Sequence, residues 1–396
     1  MNLHKNQIFQ KIYALHFFIN LSMTIFSFIL PIILYEYTKS ALAMSIMRIM
    51  DFLPNVLLGM LIGVLVDRIN RRYIIIYGNV IRMIISFVFV FLLTNTDFML
   101  WHIYILGFLI STISYTIGSA TNAIVPQLFD ISLMTEIQAK FALLSTMITI
   151  IGPGLLGILL LWMSNSLFLW LFLGCQLCMT IIAFFIEKVP TPISKVKRSL
   201  LEDMKEGIVA LIGNKSLLLQ TWTIFFSNFA SSLIIGVLTF YSLDQLHFTK
   251  EELGMMLTIS AIGGIIGAKI IRPLQKRYTR GQIYTNSMFI EVFVLVLFYF
   301  ADHWIGLGIL LATRTTTITM TNIVYLAIRQ ETTPNHLLGR VAGTTSMIMK
   351  LAVPIGLFIG GIWAESLPIA PIFILSAAFV LFNFILLKKN KFELIV

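Results

Sequence analysis

The sequence predicts an all-α membrane protein, and two observations support this class. Hydrophobic residues make up 58% of the 396 residues, charged residues make up 12%, and the mean hydropathy is +0.92. Soluble domains carry about 25% charged residues. Apolar runs of roughly 20 residues, each long enough to cross a hydrocarbon core of ~30 Å, recur along the whole chain. The composition therefore excludes a soluble globular protein.

Twelve such runs predict twelve transmembrane helices. They lie near 11–35, 41–66, 73–94, 98–121, 140–163, 166–186, 217–242, 253–271, 281–300, 305–327, 341–364 and 368–387. The first run is too long for the apolar region of a signal peptide and lacks a small-residue cleavage site after it. We expect it to be retained.

The basic residues predict the orientation of these helices. With the N-terminus in the cytoplasm, only Lys39 and Lys250 lie in outer loops, and five of the 28 basic residues lie within spans. Cytoplasmic loops are enriched in Lys and Arg, so we expect a multi-pass protein of the cell membrane with both termini inside. The net charge of +10 is spread over these loops, which argues against nucleic acid as a partner.

The loop at 63–72, GVLVDRINRR, lies between the second and third predicted helices. It resembles the pattern G-x-L-x-D-R-x-G-R-R/K of the major facilitator superfamily. Matching positions are Gly63, Leu65, Asp67, Arg68, Arg71 and Arg72. Asn70 replaces the usual glycine, and Asn tolerates a left-handed backbone better than most residues, which keeps the turn possible.

This resemblance implies two six-helix halves whose first, fourth, seventh and tenth helices line a central cavity. It also implies that Asp67, Arg68, Arg71 and Arg72 form a gate that stabilises an outward-open state. The alternative is that the arginines only fix topology. Looser matches, which include Ser40-Ala41, Arg48, Leu53-Pro54, Arg329-Gln330-Glu331 and Gly339-Arg340, resemble the branch of macrolide-efflux proteins and siderophore exporters.

An internal repeat supports the two halves. An offset of 204 residues aligns Gly267–Arg272 with Gly63–Arg68, and Ile271 takes the place of Asp67. We expect domains at 1–186 and 216–396, joined by a cytoplasmic linker at 187–215. The linker begins with Pro190 and Pro192, and a capping box from Ser199 to Glu202 predicts an amphipathic helix on the inner membrane face.

The fifth predicted helix contains a glycine-proline cluster. Gly152, Pro153, Gly154 and Gly157 resemble a truncated antiporter motif of exporting members of the family. Proline removes a helix hydrogen bond and glycine permits close packing, so we expect a hinge here that favours export.

Charges within the spans are candidate sites, because an uncompensated charge near mid-bilayer is costly. Arg48 and Asp51 stand three residues apart, which allows them to pair on one helix face. This pair either fixes helix rotation or makes Asp51 a proton carrier. Arg82 is a second expected partner of Asp51.

The tenth helix carries a polar stripe of Arg314, Thr317 and Thr321, which we expect to face the cavity and to bind substrate rather than to form a buried structural pair. Tyr115 and Asn122 of the fourth helix and Lys350 of the eleventh are further candidates. Glu291 is expected to neutralise a neighbouring base, and Lys269 to extend toward the interface.

Five basic residues within the spans against two acidic ones suggest an anionic or zwitterionic cargo. The sequence contains no nucleotide-binding loop, nucleophile elbow or zinc spacing, so we expect a secondary transporter rather than an enzyme, with no cofactor or metal. Cys175 and Cys178 are interpreted as packing residues. The predicted function is proton-coupled export of a small amphipathic molecule, a metallophore-like metabolite or a drug, by a monomer. Nutrient import, lysolipid flipping and a non-transporting sensor are the alternatives.

Overall fold

The computed structural model describes residues 6–94, 99–189, 200–334 and 337–394. These residues form fourteen α-helices, and loops and short turns connect them. In chain order the helices are α1 (Gln7–Thr38), α2 (Ala41–Leu57), α3 (Gly59–Arg68), α4 (Arg71–Thr94), α5 (Leu100–Leu128), α6 (Met134–Leu159), α7 (Asn165–Phe184), α8 (Leu200–Gly213), α9 (Lys215–Phe240), α10 (Lys250–Gln275), α11 (Arg280–Phe298), α12 (Trp304–Thr332), α13 (Leu338–Ser366) and α14 (Pro371–Lys389).

Within the described residues, ten helices are long and apolar enough to cross a membrane, or eleven if α2 and α3 form one span. The predicted helix at 41–66 is not continuous, because it is divided into α2 and α3, which are bent by 59° at the break between them. The predicted helix at 305–327 lies within α12, which has 29 residues but is not among the ten. Its threonines and Arg314 make it more polar than the others, as expected for a helix that does not face lipid all round.

The chain divides into two compact units. Unit 1 contains Met1–Lys39 and Ile46–Val196, and unit 2 contains Ser40–Ser45 and Lys197–Val396. In unit 1, α4 packs on α5 and α7, and α1 packs on α6 and α7. In unit 2, α10 packs on α12, α9 on α13, and α11 on both α12 and α14.

Glycines set the closest of these contacts. A Cβ added at Gly263 of α10 would lie 1.9 Å from the Ala312 carbonyl oxygen of α12, and one at Gly356 of α13 would lie 2.6 Å from the Phe229 carbonyl oxygen of α9. Small residues let backbones approach where hydrophobic burial gives no net gain in lipid. The α10–α12 and α9–α13 pairs are therefore fixed by backbone contact.

The two copies of the internal repeat differ in structure. Gly63 lies in α3 with open space around it, whereas a Cβ at Gly267 of α10 would lie 2.7 Å from the Thr316 carbonyl oxygen. Gly267 therefore lies in a continuous helix, α10, and allows it to pack closely on α12. Its counterpart Gly63 lies in the helix that follows the bend.

The linker helix α8 packs on α13. A Cβ at Gly207 would lie 2.8 Å from the Arg340 carbonyl oxygen, Glu206 pairs with Arg340 at 2.5 Å, and Leu211 is buried. Ile208, Val209 and Ile212 remain exposed, so an apolar face is left over for the predicted contact with the inner membrane face. The predicted capping serine Ser199 and both linker prolines lie outside the described residues.

Candidate functional site

The segment at 63–72, where α3 ends and α4 begins, is held to the rest of unit 1 by its arginines. Arg71 lies 3.6 Å from the Asp67 carboxylate and donates to the Ala123 carbonyl of α5 at 3.1 Å. The Asp67 side chain is 71% exposed, so this exposed i, i+4 pair contributes little to stability. Arg68 is exposed as well. The structure thus leaves Asp67 accessible, and the gate role of this loop stays a prediction.

Asn70 uses its side chain rather than a left-handed backbone. It is absent from the non-glycine residues with positive φ, which among those described are Lys39, His247 and Lys391. Its Oδ1 accepts from the Arg72 amide at 3.0 Å and so caps α4. Its Nδ2 donates to the Val189 carbonyl at 2.8 Å. At the position where the family pattern has glycine, the Asn70 side-chain amide therefore stabilises the turn through two hydrogen bonds, one to α4 and one to Val189.

Arg72 extends the same contact. Its Nε donates to the Ile186 carbonyl at 2.7 Å and its Nη2 to the Phe184 carbonyl at 3.3 Å. These carbonyls lie at the end of α7, where orphan acceptors and the helix dipole favour a cation. Asn70 and Arg72 therefore fasten the loop to the segment that leaves α7.

Replacing Asn70 tests this fastening. Asn70→Ala removes the helix cap and the bond to Val189. Each interaction typically contributes about 1 kcal/mol, so we expect the free energy of unfolding to fall by about 2 kcal/mol. Asn70→Asp keeps the capping acceptor and should lose about half as much. Thermal unfolding of the purified protein in detergent measures both. Equal unfolding temperatures for wild type and Asn70→Ala would contradict the assignment.

Arg48 and Asp51 of α2 do not form the expected ion pair. Arg48 Nη2 donates to the Ser27 carbonyl of α1 at 3.2 Å. Asp51 Oδ1 accepts from Ser111 Oγ of α5 at 3.0 Å. Three-residue spacing allows a pair on a helix but does not require one, and here neighbouring helices supply the partners. Asp51 is half-buried and hydrogen-bonded to α5.

Arg82 of α4 is also not bonded to Asp51, contrary to expectation. Its side chain donates to Asn79 Oδ1 at 2.9 Å, to Ser114 Oγ at 3.2 Å and to Met179 Sδ at 3.0 Å. The residue is 1% exposed, and its Nε has no hydrogen-bond partner among the described residues. Arg82 is thus a buried cation whose direct partners are all uncharged.

In unit 2, Arg314 and Glu291 form a buried ion pair between α12 and α11. Arg314 Nε lies 3.1 Å from Glu291 Oε1, and the side chains are 6% and 4% exposed. Arg314 Nη2 also donates to Ser231 Oγ of α9. Glu291 therefore neutralises a base, as expected, and that base is Arg314. The guanidinium is held from two sides, so both the structural and the substrate-binding interpretation of Arg314 remain open to test.

The remaining candidates are distributed over both units. Thr317 and Thr321 are buried, and their hydroxyls donate to backbone carbonyls of α12 at 2.8 and 2.9 Å. Asn122 is exposed on α5, and Lys350 is half-buried in α13. Lys269 is exposed on α10. The Thr317 hydroxyl donates to the Arg314 backbone carbonyl and the Thr321 hydroxyl to that of Ile318, so both hydroxyls are satisfied along the helix rather than by the Arg314 guanidinium.

Tyr115 of α5 lies against the break between α2 and α3. A Cβ at Gly59 would lie 3.4 Å from Tyr115 Oη and 3.8 Å from Asn55 Oδ1. Gly59 is the first residue of α3. Tyr115 is therefore packed where α2 and α3 meet.

The predicted hinge residues lie in α6. Gly152 packs on α1, since a Cβ there would lie 2.7 Å from Thr24 Cγ2, and Pro153 lies inside the helix. Gly154 and Gly157 are buried. Gly152 thus allows close packing of α6 on α1, while bending at this cluster stays a prediction.

Sequence reasoning missed three partners, Ser27, Ser111 and Ser231. The Ser27 carbonyl and the Ser231 hydroxyl accept from Arg48 and Arg314, whereas the Ser111 hydroxyl donates to Asp51, in each case from a different helix. The only signal in the sequence was the polar run of the fourth helix, which includes Ser111. Among the described residues, no group of three or more His, Cys, Asp or Glu side chains is placed to hold a metal ion. Both cysteines are free thiols in α7, one of them buried.

Two named bacterial proteins are similar in sequence to this chain over most of its length. It is 25% identical over 361 residues to macrolide efflux protein A of Streptococcus pyogenes, which covers 88% of this chain and 87% of that protein. It is 26% identical over 333 residues to macrolide efflux protein A of Enterococcus faecalis, which covers 80% and 99%. These relatives are efflux proteins of a length similar to this chain.

Solved structures share the fold at low sequence identity. The nucleoside transporter NupG matches with a TM-score of 0.78 and 12% identity, over 97% of this chain and 99% of that one. A bacterial homologue of the iron transporter ferroportin, in an inward-facing state, matches with a TM-score of 0.76 and 15% identity, over 97% and 98%. The sequence model of the Major Facilitator Superfamily matches residues 12–355 and, in a second match, 222–392. The protein is thus a member of the Major Facilitator Superfamily of membrane transporters.

Proposed function

We propose that the protein exports a small amphipathic molecule from the cytoplasm by alternating access, in exchange for protons. The cargo carries an anionic or zwitterionic group, as in a metallophore-like metabolite or an acidic drug. In this proposal both termini lie in the cytoplasm and the chain has twelve transmembrane segments. These are the ten long apolar helices, the bent pair α2–α3 counted as one segment, and the more polar helix α12.

The direction of transport is supported by the relatives. Two matching proteins are named macrolide efflux protein A, and each match covers at least 80% of this chain. The glycine-proline cluster of α6 resembles the antiporter motif and favours the same direction. Import of a nutrient has no comparable support.

The cargo class rests on the Arg314 guanidinium. It is buried, it is bonded to a carboxylate on one side, and it is bonded to a neutral hydroxyl on the other. Arginine presents a planar fork of donors that fits carboxylates and phosphates. An acidic group of a cargo offers the same charge and geometry as Glu291, so it can take the place of Glu291 on Arg314 while the pair opens.

Asp51 is the proposed proton carrier. It is an intramembrane carboxylate, half-buried in unit 1, and its hydrogen-bond partner is the neutral Ser111 rather than an arginine. Ionisable residues inside membrane spans mark ion pathways because they are otherwise costly. Glu291 is the second intramembrane carboxylate, but it is already bound to Arg314.

Neutral or cationic drugs are the second cargo class, which the names of the efflux relatives support. In that case Arg314 and Glu291 fix helix packing in unit 2 and do not exchange partners. A lysolipid flippase would also keep this fold, and a non-transporting sensor would need neither the loop at 63–72 nor the buried pair.

One comparison of cells tests the proposal. Cells lacking the protein are compared with cells that carry wild type or Asp51→Asn, under metal limitation and with a panel of macrolides. We expect a carboxylate-rich compound to accumulate inside cells that lack the protein and to leave cells with wild type. Increased macrolide tolerance without such a compound favours the neutral-drug class. No shift in any metabolite or tolerance would overturn export of either class.

A further inference from the structure

The chain turns back onto unit 2 after α14. Lys391 has a φ of 51°, in the left-handed region that residues other than glycine rarely adopt, and a short 3₁₀ turn at Phe392–Leu394 then packs on α11 and α14. Phe392 is 1% exposed, and its ring centroid lies 5.5 Å from that of Tyr284 in α11. A strained residue persists where the surrounding contacts fix it, so the docking of this segment holds the turn at Lys391.

Contacts from both helices fix this segment. A Cβ added at Gly281, near the start of α11, would collide with the Phe392 carbonyl oxygen, so the two backbones approach as closely as glycine allows. Thr279 Oγ1 donates to the Glu393 carbonyl at 2.7 Å, and the Glu393 carboxylate lies 2.5 Å from Lys388 Nζ of α14. The segment therefore covers the place where α11 begins and α14 ends.

A row of polar side chains runs along α9 and α11 from this place into unit 2. At one end, Tyr284 Oη lies 3.0 Å from Thr223 Oγ1 of α9. At the other end, Arg314 of α12 bonds to both Glu291 and Ser231. At about 1.5 Å per residue, roughly 10–12 Å of helix separates these two links. Tyr284 also lies within electrostatic range of Glu291, and apart from Ser231 the side chains of the row are no more than 5% exposed.

Two atoms of this polar row have no hydrogen-bond partner among the described residues. Ser287 lies between Tyr284 and Glu291 on the same face of α11, is 1% exposed and has an unpaired Oγ. Asn383 of α14 is fully buried and donates to the Thr223 carbonyl at 2.9 Å, but its Oδ1 is unpaired. Unpaired buried oxygens attract water, so a row that contains them hydrates if its end is open. The polar row therefore needs an apolar closure.

We propose that the segment Phe392–Leu394 is a seal that keeps water out of the polar row and away from the ion pair of Glu291 and Arg314. Phe392 is the apolar closure, because it lies against Tyr284, the first side chain of the row on α11. An ion pair is strong in a dry interior and weak in water, so the seal preserves the bond between α11 and α12. With both termini inside, the seal lies on the cytoplasmic side. That placement rests on the proposed function, whereas the sealing does not.

Thiol labelling of Ser287→Cys tests the seal. The substitution is conservative because the Oγ that it replaces has no partner, and Cys175→Ala with Cys178→Ala removes the two native thiols. Purified protein in detergent is treated with a small water-soluble methanethiosulfonate reagent, and labelling is followed by intact mass spectrometry. The thiol should react slowly behind an intact seal. Adding Phe392→Ala should raise the rate about tenfold or more, because reaction of a buried group follows the population of the opened state.

Two further variants separate sealing from the loss of one side chain. Gly281→Ala leaves Phe392 intact but displaces the segment, so it should raise labelling in the same way. Phe392→Leu keeps an apolar group in place and should raise labelling much less. Unchanged labelling in both Phe392→Ala and Gly281→Ala would overturn the proposal, since the segment would then only anchor α14. If Phe392→Ala does not fold, Gly281→Ala decides.

A second thiol position controls for general loosening of unit 2. Ser376 of α14 is fully buried outside the polar row, and its hydroxyl donates to the Ala230 carbonyl of α9 at 3.1 Å. Labelling of Ser376→Cys should stay slow when Phe392→Ala is added. An equal rise at both positions would count against a seal, because unit 2 would then open as a whole.

Sealed vesicles test the side of the membrane on which the seal lies. With Ser287→Cys and Phe392→Ala combined, an impermeant reagent should label the protein from the cytoplasmic side only. Labelling from the outer side alone would refute the orientation given in the proposed function. The seal itself is decided by the measurement in detergent, which needs neither cargo nor a gradient.

Discussion

Arg314→Ala is expected to abolish export of an acidic cargo, whereas Arg314→Lys should retain part of it. Alanine removes the guanidinium from between Glu291 and Ser231 and leaves the Glu291 carboxylate buried without its partner. Breaking a buried ion pair by removing one member typically costs about 3–5 kcal/mol. A reduced unfolding temperature is therefore expected along with the loss of transport.

Glu291→Gln is the control that separates binding from stability. It also breaks the ion pair, but it leaves Arg314 in place with its bond to Ser231 and without its resident carboxylate. If Arg314 binds an acidic group, this variant should bind cargo at least as tightly as wild type, while Arg314→Ala should not bind it. Binding is measured on purified protein by calorimetry with the compound found by metabolite profiling.

The opposite pattern would refute the substrate role of Arg314. Normal export by Arg314→Ala at normal expression would show that cargo does not need the guanidinium. Equal loss of binding in both variants, each still folded, would mean that the ion pair acts only by fixing α11 against α12.

Asp51→Asn is expected to reduce proton-driven export to background. The substitution preserves side-chain shape, and the amide oxygen can still accept from Ser111, so the contact between α2 and α5 is kept. What is lost is the capacity to bind and release a proton. Exchange of labelled for unlabelled cargo needs no net proton movement and should continue.

Proteoliposomes allow both activities to be measured on the same preparation. A proton gradient imposed across the vesicle should drive cargo movement by wild type but not by Asp51→Asn, while exchange proceeds in both. Ser111→Ala is a suitable control, because it weakens the same contact but keeps the carboxylate. Gradient-driven transport by Asp51→Asn at the wild-type rate would show that another group carries the proton, or that no proton is carried.

The helical segments followed from the sequence because membrane helices depend on local composition. A run of apolar residues is helical in lipid whatever its neighbours are, since every backbone group must be satisfied within the segment. The run at 41–66 is an exception to a single continuous helix. The run at 41–66 forms α2 and α3 with a 59° bend between them, and Tyr115 of α5 packs against the first residue of α3. Apolarity alone carries no information about such a contact.

The charged residues that matter were also visible in the sequence, because a charge within an apolar run is conspicuous wherever it lies. Asp51, Arg82, Glu291 and Arg314 were all marked in this way. Their partners were not predictable to the same degree. Glu291 was expected to neutralise a base, and only the packing of α11 on α12 identifies that base as Arg314.

The sequence by itself thus determined the class of protein, the family to which it belongs and the positions of its buried charges. These are properties of single segments. Tertiary structure alone decided that Asp51 bonds to Ser111 instead of Arg48, and that Arg82 bonds to Ser114 on the same face of α5. Helical spacing limits which residues share a face, but the rotation and depth of the neighbouring helices choose the partner. Those depend on close contacts between segments far apart in the chain.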